Sequence, residues 1–176
     1  MRTEEILALT WQDVDFKTKR ILIKKAEVKV AGQGRILKAP KSKSSTRKII
    51  IPEKVLAILI EWKNYCEKSF PEWLKIRPFL QKYADYVIVS QDNGTLPHPD
   101  SFNHWLRKYR IKHGFQHITP HGLRHFYTTY LLLNGVDVKT VSSLMGHSKT
   151  ATTLNIYAAL TKEGYDNAEA VLNKPT

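Results

Sequence analysis

The spacing of apolar residues changes near residue 52, and this change limits the folds that the chain can adopt. Before it, runs rich in β-branched residues cover 20–24 and 26–31 and are bounded by polar turns, which predicts two strands. After it, apolar residues recur at a spacing that is typical of amphipathic helices. The helices predicted in this way cover 53–68, 99–113, 120–134, 138–144 and 151–157.

Three shorter segments complete the expected elements. Residues 2–10 place helix formers around an acidic first turn and predict a short helix. The apolar run 86–90 predicts a short strand that ends at a turn. Pro71 and Pro78 indicate that 70–83 is irregular or a broken helix.

The segment 35–48 is strongly basic. It follows a turn at 32–34, carries six lysine and arginine residues and predicts a hairpin with a basic tip. Over the whole chain, 28 Lys plus Arg residues against 16 Asp plus Glu leave a formal charge of +12. Phosphate backbones favour such a surface through counterion release, so the charge is consistent with a DNA partner without establishing one.

The cysteine and histidine content excludes several kinds of site. Cys66 is the single cysteine, so the chain forms no internal disulfide and has no cysteine-rich zinc arrangement. The seven histidines show no metal-ligand spacing, and we expect no metal or other cofactor. With no apolar run as long as a membrane span and no leader peptide in the sequence, we expect a cytoplasmic protein without membrane contact.

Three motifs follow one another toward the end of the chain. His121-Gly-Leu-Arg124 is followed by Leu-Met-Gly-His147 and, ten residues later, by Tyr157. His121 and Arg124 are three residues apart, so on a helix that begins at Pro120 they share one face. Arginine presents a planar donor fork that suits a phosphate, and a tyrosine hydroxyl can act as a covalent nucleophile.

Two further motifs lie in the first quarter of the chain. Arg2-Thr-Glu-Glu5 opens an apolar helix that ends in Trp-Gln-Asp13, and the basic segment contains Pro-Lys41-Ser-Lys43. In type and order, the five motifs resemble the active site of the tyrosine recombinases, the lambda-integrase-like family. The resemblance implies an α+β fold, a mainly helical catalytic core with a small antiparallel sheet of about three strands.

The resemblance also implies a catalytic role for the matching residues. Tyr157 attacks the scissile phosphodiester and gives a 3′-phosphotyrosyl enzyme with a free 5′-hydroxyl. Arg2 and Arg124 clamp the phosphate. His121 is the candidate general base, and His147 donates to the phosphate or steadies the attacking group.

The basic segment supplies the family's general acid, a lysine that protonates the leaving 5′-oxygen. Lys41 is the first candidate and Lys43 is its rival. Glu5 and Asp13 are interpreted as structural, orienting Arg2 or tying the helix end to the next strand. Contacts to DNA phosphates are expected from Arg35, Lys38, Lys43, Arg47 and Lys48.

The resemblance implies a site-specific recombinase, such as the integrase of a phage or mobile element. Its partner is double-stranded DNA at attachment sites, bound by a homo-tetramer, with DNA-bending accessory proteins as further candidates. We expect a bacterial or phage-encoded, nucleoid-associated protein. Residues 1–176 are interpreted as a catalytic domain truncated at its N-terminus, with the family's core-binding and arm-binding domains absent.

Two alternatives stay open at this point. A type IB topoisomerase or a telomere resolvase shares the nucleophile and the arginine clamp, and its products would be relaxed supercoils or hairpin ends. The second alternative is an inactive, DNA-binding fragment of an integrase. Such a fragment would bind DNA without becoming covalently attached to it.

Overall fold

The computed structural model describes residues 1–30, 32, 34–38, 46–116, 118–147 and 149–172. It confirms the mixed class, in which helices dominate and the sheets are small and antiparallel. The helices are α1 (Thr3–Leu7), α2 (Glu53–Ile76), α3 (Ser101–His113), α4 (Pro120–Leu133), α5 (Val138–Met145) and α6 (Ala151–Leu172). The strands are β1 (Val14–Asp15), β2 (Arg20–Ile23), β3 (Ala26–Val30), β4 (Gly34–Lys38) and β5 (Arg47–Ile50).

The strands form two antiparallel groups. β1, β2 and β5 make a three-stranded sheet in the order β1-β2-β5, and β3 pairs with β4 as a separate hairpin. Within the sheet, Ile23 of β2 lies opposite Arg47 of β5. Lys41 and Lys43 belong to 39–45, between β4 and β5, which lies outside the described residues. The basic tip therefore stays a prediction.

Helix α2 continues to Ile76, so the prediction of a broken helix over 70–83 is wrong for its first part. Pro71 removes one backbone donor inside this helix, which locally favours a helix end. Phe70 is nevertheless buried with Cys66 against Leu80, and this packing outweighs the local preference. A 3-10 helix over Pro78–Tyr83 follows.

The predicted strand over 86–90 is also wrong. These residues make one isolated bridge, between Thr10 and Tyr86, and Val87 N donates to Leu9 O at 2.9 Å. Val87 is 0% exposed, in the cluster that packs the three-stranded sheet against α2. The β-branched residues here serve burial in the core rather than a hydrogen-bonded ladder.

A second buried cluster joins the last three helices, which carry most of the candidate site. Leu132 of α4 packs with Val141 and Met145 of α5, and partly buried residues of α6 cover them. Helix α6 extends well beyond the predicted end at residue 157. Across the described ranges, no helix combines the length and the apolar character that crossing a membrane requires.

Candidate active site

A cleft of about 760 Å³ lies between the start of the chain, α3, α4 and the turn after α5. Four of the residues singled out in the sequence line it: Arg2, His121, Arg124 and His147. The fold therefore brings the first arginine motif against the motifs of the second half of the chain. The order and the types of these residues predicted that they meet, and the structure places them around one cleft.

The first turn of α4 presents His121 and Arg124 to this cleft. Thr119 precedes the helix in extended backbone, and its hydroxyl oxygen accepts a hydrogen bond from Gly122 N at 3.0 Å. Pro120 occupies the first helical position, where a missing N–H leaves no intrahelical bond unmade. The cap fixes the helix start, so His121 and Arg124 share a face as the spacing predicts.

Three successive carbonyl oxygens at the C-terminal end of α5 each accept a hydrogen bond from a different arginine. The last carbonyls of a helix have no partner within the helix and carry partial negative charge, so they attract cations. The pairs are Arg47 Nε with Leu144 O at 2.8 Å, Arg124 Nη2 with Met145 O, and Arg2 Nη2 with Gly146 O at 3.3 Å.

Glu5 is a buried carboxylate shared by two of these arginines. It accepts from Arg47 Nη1 and Nη2 at 2.9 and 2.8 Å, from Arg2 Nη1 at 3.1 Å and from Arg2 N at 2.7 Å. Burial on its own raises the pKa of Glu5, but the hydrogen bonds from Arg47 and Arg2 lower it to about 2. Glu5 is therefore ionised at neutral pH and orients Arg2, as the sequence interpretation expected.

Asp13 has the second structural role that was expected, because it ties the end of the first helical segment to the neighbouring strand. Its Oδ2 atom accepts from Thr10 N at 3.1 Å and from Thr10 Oγ1 at 2.6 Å. Lys24, the residue directly after β2, pairs with Oδ1 at 2.8 Å. The segment that carries Arg2 is thus fastened to the sheet.

Arg47 does not lie on the surface, since its side chain is 4% exposed. The prediction that Arg47 contacts a DNA phosphate is therefore corrected: the side chain faces Glu5 and the end of α5. Gly146 permits this approach. Its φ is +63°, and a Cβ at this position would lie 2.8 Å from Arg47 Nη1, so both the backbone and the contact require glycine.

Arg124 has one buried donor that none of the described residues satisfies. Within the described residues, its Nη1 atom makes no hydrogen bond, whereas Nη2 is held by Met145 O. Burial, together with the positive charges of Arg2 and Arg47, lowers the pKa of Arg124 to about 10, so the group is still a cation at neutral pH. A buried unsatisfied donor is unfavourable, and an anion in the cleft would satisfy it.

The imidazole of His147 is held by a buried threonine. Its Nδ1 atom lies 2.8 Å from Thr153 Oγ1, and Thr153 is 0% exposed in the first turn of α6. Burial and then the charges of Arg124 and Arg2 lower the pKa of His147, so the ring is neutral at pH 7. When the hydroxyl donates to Nδ1, the ring proton lies on Nε2 and is available to a phosphate.

Tyr157 lies outside the cleft. Its side chain is 44% exposed on α6, and it is not among the described residues that line the cleft. Tyr157 follows Thr153 by four residues, so it lies one helical turn beyond the threonine that holds His147. Thr152 of the same helix lines the cleft, whereas Tyr157, five residues further along, is not among the described lining residues.

The basic residues expected to contact DNA differ in their positions. Lys38 and Lys48 are exposed. Arg35 is partly buried, pairs with Glu27 at 3.3 Å and donates to Pro97 O. In the part of the chain that the structure describes, no group of three or more His, Cys, Asp or Glu side chains could hold a metal ion.

The sequence interpretation missed the structural roles of Arg47 and Thr153. A signal for Arg47 existed, since the two-residue period from Ile51 through Ile49 puts Arg47 on the inner face of β5. That signal was outweighed by the basic composition around it. Thr153 had a weaker signal, its spacing of four residues from Tyr157, which only marks a shared helix face.

Sequence comparisons find similarity to integrases and tyrosine recombinases. A profile described as the phage integrase family matches residues 1–164. The chain is 30% identical over 182 residues to a tyrosine recombinase XerC-like protein of Caldanaerobacter subterraneus subsp. tengcongensis, across 98% of the chain and 46% of that protein. It is 30% identical over 160 residues to the ICEBs1 integrase of Bacillus subtilis, across 91% of the chain and 42% of the integrase.

Solved structures give the same result. The Tn1549 transposon integrase in complex with transposon right-end DNA superposes with a TM-score of 0.69 at 27% identity, over 89% of this chain and 50% of that one. The XerA recombinase superposes with a TM-score of 0.62 at 24% identity and supports the fold alone, over 99% of this chain and 54% of that one. The chain spans less than half the length of the two curated relatives above.

Proposed function

The chain belongs to the phage integrase family, and we propose that it cuts and rejoins DNA at specific sites through a phosphotyrosyl intermediate. Residues 1–176 serve as the catalytic domain in this proposal. Its partner is double-stranded DNA, and the working assembly is a homo-tetramer on attachment sites of a phage or mobile element, aided by DNA-bending proteins. The relatives that are integrases and recombinases support this choice.

The observation that carries the proposal is the buried Nη1 atom of Arg124, which has no hydrogen-bond partner among the described residues. Arg2 and His147 line the same cleft, so a phosphate placed there would meet several donors at once. The three clustered guanidinium groups and the carboxylate of Glu5 leave a net charge of two positive. Fixed cations of this kind stabilise the charge that develops on non-bridging oxygens during phosphoryl transfer.

In the proposed step, Tyr157 Oη forms a bond to phosphorus while the bond from phosphorus to the 5′-oxygen breaks. The tyrosine proton passes to His121, and the 5′-oxygen takes a proton from Lys41 or from Lys43. One phosphodiester replaces another, so attack by the 5′-hydroxyl of a second strand reverses the step and rejoins the DNA. Phosphate contacts by Lys38 and Lys48 add salt-dependent affinity.

In this proposal DNA binding brings the phosphate and the phenol together, since Tyr157 is exposed and is not among the described residues that line the cleft. The first turn of α6 is tethered by the contact between Thr153 and His147. A movement of the next turn would carry Tyr157 toward the cleft while leaving the tether intact. Substrate-induced movements of this kind complete the catalytic constellation in many enzymes.

The proposal is tested by covalent capture. The chain is mixed with nicked duplexes from its source genome, denatured with detergent and examined for attached DNA, beside Tyr157→Phe and the control Tyr130→Phe. Tyr130 is an exposed tyrosine of α4, 54% exposed. We expect the adduct with the chain and the control but not with Tyr157→Phe.

Three results would contradict the proposal. An adduct that survives in Tyr157→Phe would place the nucleophile elsewhere. Salt-sensitive binding without any adduct would indicate a DNA-binding protein that lacks strand-transfer activity. If the adduct forms but an intact supercoiled plasmid incubated with the chain is only relaxed, without exchange between sites, the function is that of a topoisomerase rather than a recombinase.

A further inference from the structure

We propose that Arg47 is a positioning residue, which sets the distance between Arg2 and Arg124 by tying Glu5 to the C-terminal end of α5. The inference rests on the proposed function, because the alignment matters only if both arginines bind one phosphate. Arg47 itself would not touch the DNA. It acts through the two arginines that do.

The first link in this chain of contacts runs from Arg47 to Arg2. Arg47 donates two hydrogen bonds to the carboxylate of Glu5, from Nη1 to Oε1 at 2.9 Å and from Nη2 to Oε2 at 2.8 Å. The same Oε1 atom accepts from Arg2 Nη1 at 3.1 Å. A two-bond fork fixes the plane of a carboxylate, so the direction in which Glu5 holds Arg2 depends on Arg47.

The second link runs from Arg47 to Arg124. Arg47 Nε donates to Leu144 O at 2.8 Å, and Arg124 Nη2 donates to Met145 O, the next carbonyl along the chain. Any displacement of this helix end therefore moves the anchor of Arg124. Arg2 is tied to the same turn through Gly146 O. One guanidinium thus braces both sides of the cleft.

The position of Arg47 leaves little freedom for a different role. Its side chain is 4% exposed, and it lies under Gly146, with no room for a Cβ between them. It starts β5 and pairs across the sheet with Ile23, so the strand fixes its backbone. Small errors in the placement of catalytic groups reduce rates strongly, by about 100-fold for a shift of roughly 1 Å.

A buried ion pair can also be purely structural, so the test must separate alignment from stability. Replacing one non-bridging oxygen of the scissile phosphate by a methyl group gives a neutral methylphosphonate. The transition state then carries less negative charge and depends less on two aligned cations. Loss of alignment should therefore matter less on this substrate, whereas loss of folded protein affects both substrates equally.

The experiment compares single-turnover adduct formation at saturating DNA, on the site that the wild-type chain attacks, with phosphodiester and methylphosphonate versions. The variants are Arg47→Met, which removes the charge, and Arg47→Lys, which keeps the charge but cannot fork. Arg20→Met is the control, because Arg20 is an exposed arginine on the neighbouring strand β2. Circular dichroism melts are recorded for each protein, and Arg47→Lys carries the comparison if Arg47→Met does not fold.

We expect Arg47→Met to slow the phosphodiester reaction about 100-fold and the methylphosphonate reaction by only a few fold, with Arg47→Lys between Arg47→Met and wild type. Equal losses on both substrates, or rates like those of Arg20→Met, would overturn the role of Arg47 and leave the proposed function standing. Absence of an adduct with the wild-type chain would overturn the proposed function and this inference with it.

Discussion

Substitution of Gly146 by alanine probes the closest contact in the arginine cluster. Gly146 ends α5 with φ at +63°, a region that L side chains rarely adopt. An added Cβ would also lie 2.8 Å from Arg47 Nη1 and 3.0 Å from its Cζ. Arg47 cannot easily retreat, because Glu5 and Leu144 O hold its guanidinium from the other side.

The two effects have separate magnitudes. Placing alanine in the left-handed region costs roughly 1–2 kcal/mol. Forcing an extra methyl group into a packed site costs roughly a further 1–3 kcal/mol. The sum for Gly146→Ala is therefore about 2–5 kcal/mol in the free energy of unfolding.

Gly114 provides a matched control for the backbone term. It ends α3 with φ at +69°, and a Cβ there would meet nothing within 4 Å. Gly114→Ala should therefore cost only about 1–2 kcal/mol. With a urea slope near 2 kcal/mol per molar, the extra loss in Gly146→Ala lowers the unfolding midpoint by about 1 M relative to Gly114→Ala.

Urea unfolding followed by circular dichroism, on the wild-type chain and both variants, decides the matter. Equal midpoints for Gly146→Ala and Gly114→Ala would show that Arg47 does not press against Gly146. The contact between Gly146 and Arg47 would then not contribute to holding the arginine cluster at the end of α5. A slope that changes between variants would instead indicate a change in the compactness of the unfolded or native state, or a loss of two-state unfolding. Gly135→Ala is a second control for the backbone cost, because Gly135 also has positive φ and open space.

The buried polar contacts allow three further tests. The pKa of Glu5 falls from 4.5 to about 2 on folding, so its charged form stabilises the fold above pH 4.5 and that contribution disappears toward pH 2. Glu5→Gln should therefore flatten the fall in melting temperature between pH 4.5 and pH 2. A Glu5→Gln profile identical to that of the wild-type chain would refute the role of this charge. Thr153→Val should slow adduct formation about tenfold, the effect of roughly one hydrogen bond. In a protein that already carries His147→Ala, adding Thr153→Val should cause no further loss. Additive losses in the double variant would contradict the contact between Thr153 and His147. In an NMR titration, His147 should lose its proton below pH 6.5, since burial and neighbouring charges lower its pKa, and a midpoint at or above 6.5 would count against the cleft electrostatics.

The helices that carry the site were predictable because their signals are local. Apolar spacing and the Pro120 start predicted α4, and the spacing of His121 and Arg124 predicted their shared face. The continuation of α2 through Pro71 was not predictable, since it depends on packing of Phe70 against residues distant in the sequence. The same holds for 86–90, whose β-branched residues serve the core.

The inner part of the site depends on contacts that the sequence spacing does not encode. The surface role assigned to Arg47 followed from its basic neighbours, whereas the structure buries its side chain against Glu5, far away in the sequence. The cleft also needs α5 to point its last carbonyls at three arginines. Residue types and order predicted four of the residues that line the cleft, Arg2, His121, Arg124 and His147. Long-range packing decides that Arg47 faces Glu5 instead of the surface.

Attack by Tyr157 on a phosphate held in the arginine-lined cleft is tested by mapping the residue to which DNA becomes attached. Captured protein is digested with nuclease and trypsin, and the nucleotide-bearing peptide is identified by mass spectrometry. Cleavage after Lys149 and Lys162 gives the peptide 150–162, in which Tyr157 is the one tyrosine. We predict that Tyr157 in this peptide carries a nucleotide joined through its 3′-phosphate. A nucleotide on another residue, or one joined through its 5′-phosphate, would contradict attack by Tyr157.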